Sequence, residues 1–224
     1  MTEKVKRPYN SHSRTRQAQE NRDLISRTAH DLFVEHGYGN TTVADVARAA
    51  EVSPEMIYKS FGSKAELLRS AWFVMFRGDG QEETLYDRPE TQAVLQLPEL
   101  SERIAGFARL TAARSRRSSP LLRAIEGAAA TEPGAREMLA TWHARLLDVA
   151  SRFAHDAAET GQLVIPEEAC GDIMYAMLDG HLWRRLVVER GWTDERYAAW
   201  LAALWQQQFL DGDPGDVHDT SRQE

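Results

Sequence analysis

The chain has 224 residues and a net charge of −7, with 42% hydrophobic and 27% charged side chains. This composition is ordinary for a folded domain and excludes collagen-like and strongly disordered chains. No segment approaches the roughly 18 consecutive apolar residues that a membrane-spanning helix needs, and no apolar run follows the charged N-terminus. We therefore expect neither a membrane protein nor a secretory signal. Since Cys170 is the single cysteine, no internal disulfide can form, which favours the cytoplasm.

Charge is distributed unevenly along the chain. Residues 1–28 carry seven basic and three acidic side chains, whereas residues 81–224 carry fifteen basic and twenty-four acidic ones. Local charge decides where a polyanion can approach a protein, so the N-terminal end is the candidate nucleic-acid face despite the negative total. A solvated basic tail is the alternative interpretation of the same charges.

The first predicted elements are a polar, disordered basic arm at residues 1–13 and a helix from about Thr15 to His36. The apolar residues of this helix recur at three- and four-residue steps, and Gly37 ends it. Short helices with clear start signals follow. The signals are Thr42 with Asp45, Ser53 with Pro54, and Ser63 with Glu66. This succession indicates a helix-turn-helix that places a helix in the DNA major groove, within a domain spanning residues 14–77.

The remainder of the chain is predicted to be a larger helical domain at residues 78–210. Residues 78–100 are acidic, contain two prolines and are expected to form a long connection. Helical periodicity then covers 101–117, 120–130, 134–160, 167–190 and 193–210. Residues 211–224 are expected to form an acidic, disordered tail. The predicted fold class is all-α with about nine helices.

Residues 22–72 resemble the DNA-binding domain of the TetR family of transcriptional regulators. The resemblance is carried by a set of residues in register: Ala29, Leu32, Phe33, Gly37, Tyr38, Thr41, Thr42, Val43, Val46, Ala47, Ala50, Val52, Ser53, Ile57, Tyr58, Phe61, Ser63, Lys64, Glu66, Leu67 and Leu68. It implies a homodimer formed through residues 167–210. We expect this dimer to be a repressor that binds a palindromic operator and is released by a small molecule. Three positions depart from the family pattern. Glu51 stands where the family usually has a turn glycine, Ser60 stands where it often has an aromatic residue or histidine, and Ala65 stands where it usually has an acidic residue. A left-handed Glu51 would cost roughly 1–2 kcal/mol.

The candidate DNA contacts centre on the third helix. Ile57 and Phe61 are four residues apart and face inward, which leaves Glu55, Met56 and Lys59 outward. Lys59 could donate to guanine or to a phosphate, Glu55 could accept from cytosine or face the helix dipole, and Met56 could touch a thymine methyl group.

Phosphate contacts are expected around this helix. The resemblance implies such contacts for Thr42, Tyr58 and Lys64, although Tyr58 could instead be a half-buried core residue. Ser53, at the start of the third helix, is included in the DNA-binding set, and Arg14 and Arg16 are placed in it as residues that could reach the backbone or the minor groove.

The last two long helices are the predicted dimer interface. Gly171 and Gly180 permit close helix approach, and Trp183, Trp200 and Trp205 supply apolar surface. The alternative is that these tryptophans complete the core of a single chain.

An apolar or aromatic effector is predicted to bind within the helical domain, against the end of the fourth helix. Its candidate contacts combine aromatic faces, a thioether and polar tips. They are Trp72, Phe76, Phe107, Trp142, His143, Tyr175, Met177 and His181. Each of these residues could equally be an ordinary core residue.

Other classes of protein are less well supported by the sequence. It has no Gly-rich phosphate loop, no nucleophile elbow and no paired metal-ligand spacing, so we expect no enzyme, no cofactor and no metal. A regulator without a small-molecule effector and a helical protein-interaction module remain alternatives.

Overall fold

The structure is a computed structural model that describes residues 11–77 and 86–211; the side chains of 11–14 and 74–77 lie outside that description. The described residues form helices and no strand, which confirms the predicted all-α class. The helices are α1 (Ser11–Asn40), α2 (Val43–Ala49), α3 (Pro54–Phe61), α4 (Lys64–Arg77), α5 (Pro89–Leu95), α6 (Leu100–Ala129), α7 (Pro133–Glu159), α8 (Glu167–Met177), α9 (His181–Trp183) with a π-helical turn at Arg184–Glu189, and α10 (Asp194–Leu210).

Cα packing divides the chain into two compact units. The N-terminal unit comprises the chain up to Gly80 together with Arg123–Arg136, and the C-terminal unit comprises Gln81–Leu122 and the chain from Glu137 onward. Since the division falls inside α6 and α7, each of these helices contributes residues to both units. Most of the predicted arm (residues 1–10), most of the predicted tail (212–224) and residues 78–85 lie outside the described residues.

The N-terminal unit is built around α1 and α4. Ile25 and Phe33 of α1 are almost completely buried, as are Leu67 and Leu68 of α4. The helical periodicity of α1 is interrupted at Gly37, whose φ of 79° is available to glycine without steric cost. The glycine predicted to end the first helix therefore does break its geometry, and one more helical turn follows before α2.

The C-terminal unit has an aromatic core. The rings of Phe107 and Phe153 lie 4.6 Å apart, and Phe107 lies 6.4 Å from Trp205. Cys170 is buried here, and burial, assisted by the charge of Glu167, raises the pKa of its thiol to about 12. That shift keeps the thiol protonated and unreactive at neutral pH.

Several predicted boundaries in the C-terminal unit are wrong. A single helix, α6, replaces the two helices expected at 101–117 and 120–130, although Pro120 removes one backbone donor inside it. Leu121, Leu122 and Ile125 are buried beyond the proline, so their packing keeps the helix continuous.

Two further boundaries differ from the prediction. Helix α5 occupies part of the expected connection, because Pro89 stands at the first position of a helix, where its missing N–H is harmless. The helix expected at 167–190 is divided, because Gly180 adopts a φ of 87° between α8 and α9. At the start of the chain, α1 already includes residues 11–13 of the predicted arm.

Among the described residues, no helix combines the length and apolarity needed to cross a bilayer. The same part of the chain contains no group of three or more metal-ligating side chains close together.

Candidate nucleic-acid interface

Helix α2 begins with a complete capping box. The amide of Asp45 donates to Thr42 Oγ1 at 3.1 Å, and the amide of Thr42 donates back to Asp45 Oδ2 at 2.9 Å. The Thr42 hydroxyl also donates to Asp45 at 2.6 Å. These hydrogen bonds from Thr42, and the cation of Arg48, lower the pKa of the Asp45 carboxyl. The box fixes the exposed N-terminus of α2, where backbone amides favour a phosphate.

The turn between α2 and α3 contains the one described non-glycine residue with positive φ. Glu51 has a φ of 56°, so the left-handed conformation considered for this position does occur. The amide of Val52 donates to the Ala47 carbonyl at 2.9 Å and closes the turn. Glu51 therefore carries a strain that the usual glycine avoids.

Helix α3 has one buried side and one exposed side. Its cap residue Ser53 accepts a hydrogen bond from the Met56 amide at 3.2 Å. Ile57 is 1% exposed and Phe61 is 6% exposed, whereas Met56 is 42% and Tyr58 54% exposed.

Glu55 and Lys59 are exposed on the same helix. The backbone amide of Glu55 and the Ser53 side chain lower the pKa of the Glu55 carboxyl, which keeps it ionised at neutral pH. The exposed side of α3 thus combines one cation, one anion, one phenol and one thioether, which together can contact bases and phosphates.

Arg22 of α1 fixes the far end of α3, a role that was not predicted from the sequence. Its guanidinium donates to the Ser60 carbonyl and lies 4.3 Å from the centre of the Phe61 ring. A cation near the C-terminus of a helix also interacts favourably with the helix dipole. The orientation of α3 is therefore held at its start by Ser53 and at its end by Arg22.

Lys64 is half-buried rather than free at the surface. Its Nζ donates to the Tyr38 carbonyl at 2.5 Å and lies 4.0 Å from the centre of the Tyr38 ring. Burial lowers the pKa of Lys64, while the charge of Glu132 opposes that change. Burial also raises the pKa of Tyr38, and the neighbouring Glu132 carboxylate adds to the rise. Lys64 therefore has a structural partner, and a phosphate contact by it stays a prediction.

Arg14 and Arg16, the two arginines predicted to reach the DNA backbone or minor groove, belong to α1. Arg16 is exposed and forms a 3.4 Å ion pair with Glu20, one helical turn away. Arg14 lies in the same helix, and its side chain lies outside the description. Contact of either residue with DNA stays a prediction.

The predicted effector contacts are distributed between the two units. Trp72 is buried in the N-terminal unit, and Phe76 lies in α4 with its side chain outside the description. In the C-terminal unit, Phe107 and Trp142 are buried, Tyr175, Met177 and His181 are half-buried, and His143 is exposed. Met177 accepts a hydrogen bond from the Trp205 indole at 3.2 Å. Their role as effector contacts stays a prediction.

A groove of about 690 Å³ lies between α6 and α10 of the C-terminal unit. Alanines form much of its lining, and charged residues lie beside them: Ala105, Arg109, Ala112, Ala113, Arg116, Arg117, Asp194, Glu195, Ala198, Ala199 and Ala202. None of the predicted effector contacts lines this groove. Arg116 and Asp194 form a 3.2 Å ion pair across it.

The three tryptophans assigned to the dimer interface differ in exposure. Trp205 is completely buried and Trp183 is 5% exposed, so both complete the core of the C-terminal unit. Trp200 is half-buried and packs edge-on against Trp192, with ring centres 6.1 Å apart. Of the three, Trp200 alone retains apolar surface for a second copy.

Comparisons with known proteins agree with this geometry. The family model of the bacterial regulatory proteins of the tetR family matches residues 25–71. The HTH-type transcriptional regulator TcmR of Streptomyces glaucescens is 41% identical over 54 residues, which is 24% of this chain and 24% of that relative. The chain thus matches about a quarter of the length of this curated relative. The family is described as bacterial regulatory proteins and this relative as a transcriptional regulator, which agrees with the predicted resemblance.

Solved structures share the fold over most of the chain. A TetR-family transcriptional regulator from Syntrophomonas wolfei has a TM-score of 0.63 at 20% identity, covering 90% of this chain and 98% of that one. The SmeT–triclosan complex has a TM-score of 0.60 at 18% identity with the same coverage. Both likenesses establish the fold alone. Residues 25–71 of this chain are therefore similar to the bacterial regulatory proteins of the tetR family, and helices α2 and α3 lie within that match.

Proposed function

We propose that the chain is a DNA-binding transcriptional repressor that binds a palindromic operator as a homodimer and is released by a small molecule. The observation that carries this proposal is helix α3, whose Ile57 and Phe61 are buried while Glu55, Met56, Tyr58 and Lys59 are exposed. A recognition helix needs this division, because one side must pack on its own domain and the other must enter a groove.

The exposed residues of α3 suit different parts of a duplex. Lys59 can donate to guanine or to a phosphate, Glu55 can accept from cytosine N4, and Met56 can touch a thymine methyl group. Tyr58 can donate to a phosphate oxygen. The Thr42 hydroxyl already donates to Asp45, so it reaches a phosphate only by exchanging that hydrogen bond.

Affinity requires two copies, since a single α3 covers only a few base pairs. A two-fold dimer places two recognition helices about 34–36 Å apart, or a multiple of that, on one face of the duplex. We assign the dimer interface to residues 167–210, where Trp200 is half-buried and Val188 is 63% exposed. A regulator of this kind meets its operator in the cytoplasm, where we expect the chain.

The small-molecule response is supported by the solved relative SmeT, which is described as a complex with triclosan. In this chain an effector would release DNA only if it binds the DNA-free conformation more tightly than the DNA-bound one. A tenfold loss of operator affinity corresponds to about 1.4 kcal/mol of differential binding.

Selection from a random duplex pool tests the proposal. We expect a palindromic consensus and a complex that contains two chains per duplex by light scattering. Lys59→Ala and Tyr58→Ala should each weaken binding at least about tenfold. Arg145→Ala removes the same charge as Lys59→Ala from an exposed position on α7, so it is the matched control and should bind normally.

Two results would contradict the proposal. One is a selection that enriches no sequence while the chain stays folded by circular dichroism. The other is equal operator affinity for wild type, Lys59→Ala, Tyr58→Ala and Arg145→Ala, which would show that α3 does not contact DNA.

A further inference from the structure

A cluster of buried polar groups lies in the C-terminal unit and has no role in DNA binding. Thr111, Arg114 and Ser115 lie within about one turn on one side of α6, and Tyr197 of α10 lies beside Arg114. Thr111 and Tyr197 are 0% exposed, Ser115 is 1% exposed and Arg114 is 8% exposed. These four residues are called the Arg114 cluster below.

The break between α8 and α9 faces this cluster. Arg114 Nη2 donates to the Leu178 carbonyl at 3.3 Å, near the C-terminus of α8. A Cβ on Gly180 would lie 3.6 Å from Ser115 Oγ, an ordinary contact distance, so the two residues are neighbours. The cluster is thus enclosed by α6, α10 and the point where α8 ends.

Each member of the cluster has a polar atom without a hydrogen-bond partner among the described residues. These atoms are Thr111 Oγ1, Arg114 Nε, Ser115 Oγ and the Tyr197 hydroxyl oxygen. Buried polar side-chain atoms in native proteins are usually paired. Four such atoms in one place, all able to donate, indicate a site for an acceptor that the protein does not itself supply.

The cluster carries the positive charge of Arg114, and the nearest anion that acts on it is Asp179, whose charge raises the pKa of Tyr197. Within the described part of the chain, no carboxylate forms an ion pair with Arg114. Burial lowers the pKa of Arg114 to about 10, an effect that Tyr197 opposes and Arg117 reinforces, so the guanidinium remains a cation at neutral pH. By contrast, Arg152 in the same unit contacts Asp87 at 2.5 Å. A buried charge without a partner is unfavourable unless a counter-charge reaches it.

We propose that the Arg114 cluster binds the carboxylate of a small-molecule effector. The guanidinium Nε and the three hydroxyls supply four donors and one positive charge, which match a carboxylate in charge and in number of lone pairs. This proposal rests on the proposed repressor function and changes its effector class, from an apolar or aromatic molecule to one that carries a carboxylate.

Thermal shift and calorimetric titration of the full chain with sodium octanoate and sodium benzoate test this site. Sodium chloride and sodium phosphate at equal ionic strength are the inorganic comparisons. We expect at least one carboxylate to raise the melting temperature in proportion to its concentration. Arg114→Met should weaken that binding about 10- to 100-fold, and Tyr197→Phe about tenfold.

Control variants separate binding from structure. Arg145→Met loses the same charge at an exposed position of the same unit and should bind the carboxylate normally. Tyr197→Phe should leave the melting temperature without carboxylate unchanged, because its hydroxyl has no hydrogen-bond partner among the described residues. Thr111→Val provides a further test should Arg114→Met fail to fold.

Three results would overturn the inference. In the first, the carboxylates raise the melting temperature of wild type and of the variants equally. In the second, chloride or phosphate stabilises the protein in an Arg114-dependent way but neither carboxylate does. In the third, no salt changes the melting temperature. Operator binding is measured on the same samples. If the wild-type protein binds no operator in the absence of ligand, the repressor function is refuted but the anion site is not. If the carboxylate binds but leaves operator affinity unchanged, the role of the anion site in DNA release is refuted.

Discussion

The two units of this chain differ in how many buried polar atoms they leave unpaired. In the N-terminal unit, α2 and α3 start at Thr42 and Ser53, whose side chains accept amides three residues further on, and the Tyr38 hydroxyl is buried without a hydrogen-bond partner among the described residues. In the C-terminal unit, Thr193 caps α10 in the same way, but the Arg114 cluster leaves four buried donors without partners among the described residues. The C-terminal unit therefore retains more buried polar capacity than the N-terminal unit.

Under the proposed function, this difference follows from what each unit would contact. A duplex has the same groove dimensions in every organism, so a DNA-binding unit needs a fixed helix orientation and local signals that secure it. A ligand-binding unit needs only a cavity whose chemistry suits one molecule. Accordingly, the family match covers residues 25–71 and stops there.

The largest predicted effect separates two neighbouring residues of α3. Ile57→Ala should destabilise the N-terminal unit by about 2–5 kcal/mol, because it leaves a cavity at a residue that is 1% exposed. Met56→Ala, at a residue that is 42% exposed, should change stability by less than about 0.5 kcal/mol and weaken operator binding instead. Urea unfolding and fluorescence anisotropy measure the two effects. Equal stability losses at both positions would contradict the assigned orientation of α3.

A smaller effect, of opposite sign, is expected at the turn between α2 and α3. Glu51→Gly should stabilise the unit by about 0.5–1 kcal/mol, because relief of the left-handed strain exceeds the added entropy of the unfolded chain. Glu51→Ala keeps the strain and serves as the control. A thermal melt in which glycine is no more stable than alanine would show that the turn carries no strain.

The smallest predicted effect concerns pH. The Thr42 hydrogen bonds lower the pKa of Asp45 in the folded state, so the unfolded chain takes up its proton first as pH falls. The contribution of Asp45 to folding stability is therefore complete above about pH 4, the usual pKa of an aspartate in an unfolded chain. It is lost as the pH falls through the lower pKa that Asp45 has in the folded state. Asp45→Asn should flatten this acid loss of stability, while Asp172→Asn, exposed on α8, should not. Identical pH profiles for wild type and Asp45→Asn would contradict the capping role.

Sequence predicted the N-terminal unit well, because its signals are local. Capping residues and a proline at the first helical position lie within three or four residues of the groups they satisfy, so the starts of α2, α3 and α4 were predicted correctly. The inward orientation of Ile57 and Phe61 followed from their spacing. Arg22 and Glu132 were missed, because their partners Ser60 and Tyr38 are far away in sequence.

Sequence predicted the C-terminal unit less well, because long-range packing decides it. Pro120 was expected to end a helix, but the buried side chains beyond it keep α6 continuous. Trp183 and Trp205 were assigned to an interface because exposure cannot be inferred from residue type. The Arg114 cluster was not predicted at all, since α6, α8 and α10 assemble it from distant segments.

The central claim, that α3 is the recognition helix, is tested most directly by the salt dependence of operator binding. Log affinity is measured against log salt concentration for wild type, Lys59→Ala and Arg145→Ala. If Lys59 contacts a phosphate, its loss should reduce the slope by about one, while a base contact should lower affinity at every salt concentration. Arg145→Ala should match wild type in both respects. Superimposable lines for wild type and Lys59→Ala would contradict the claim.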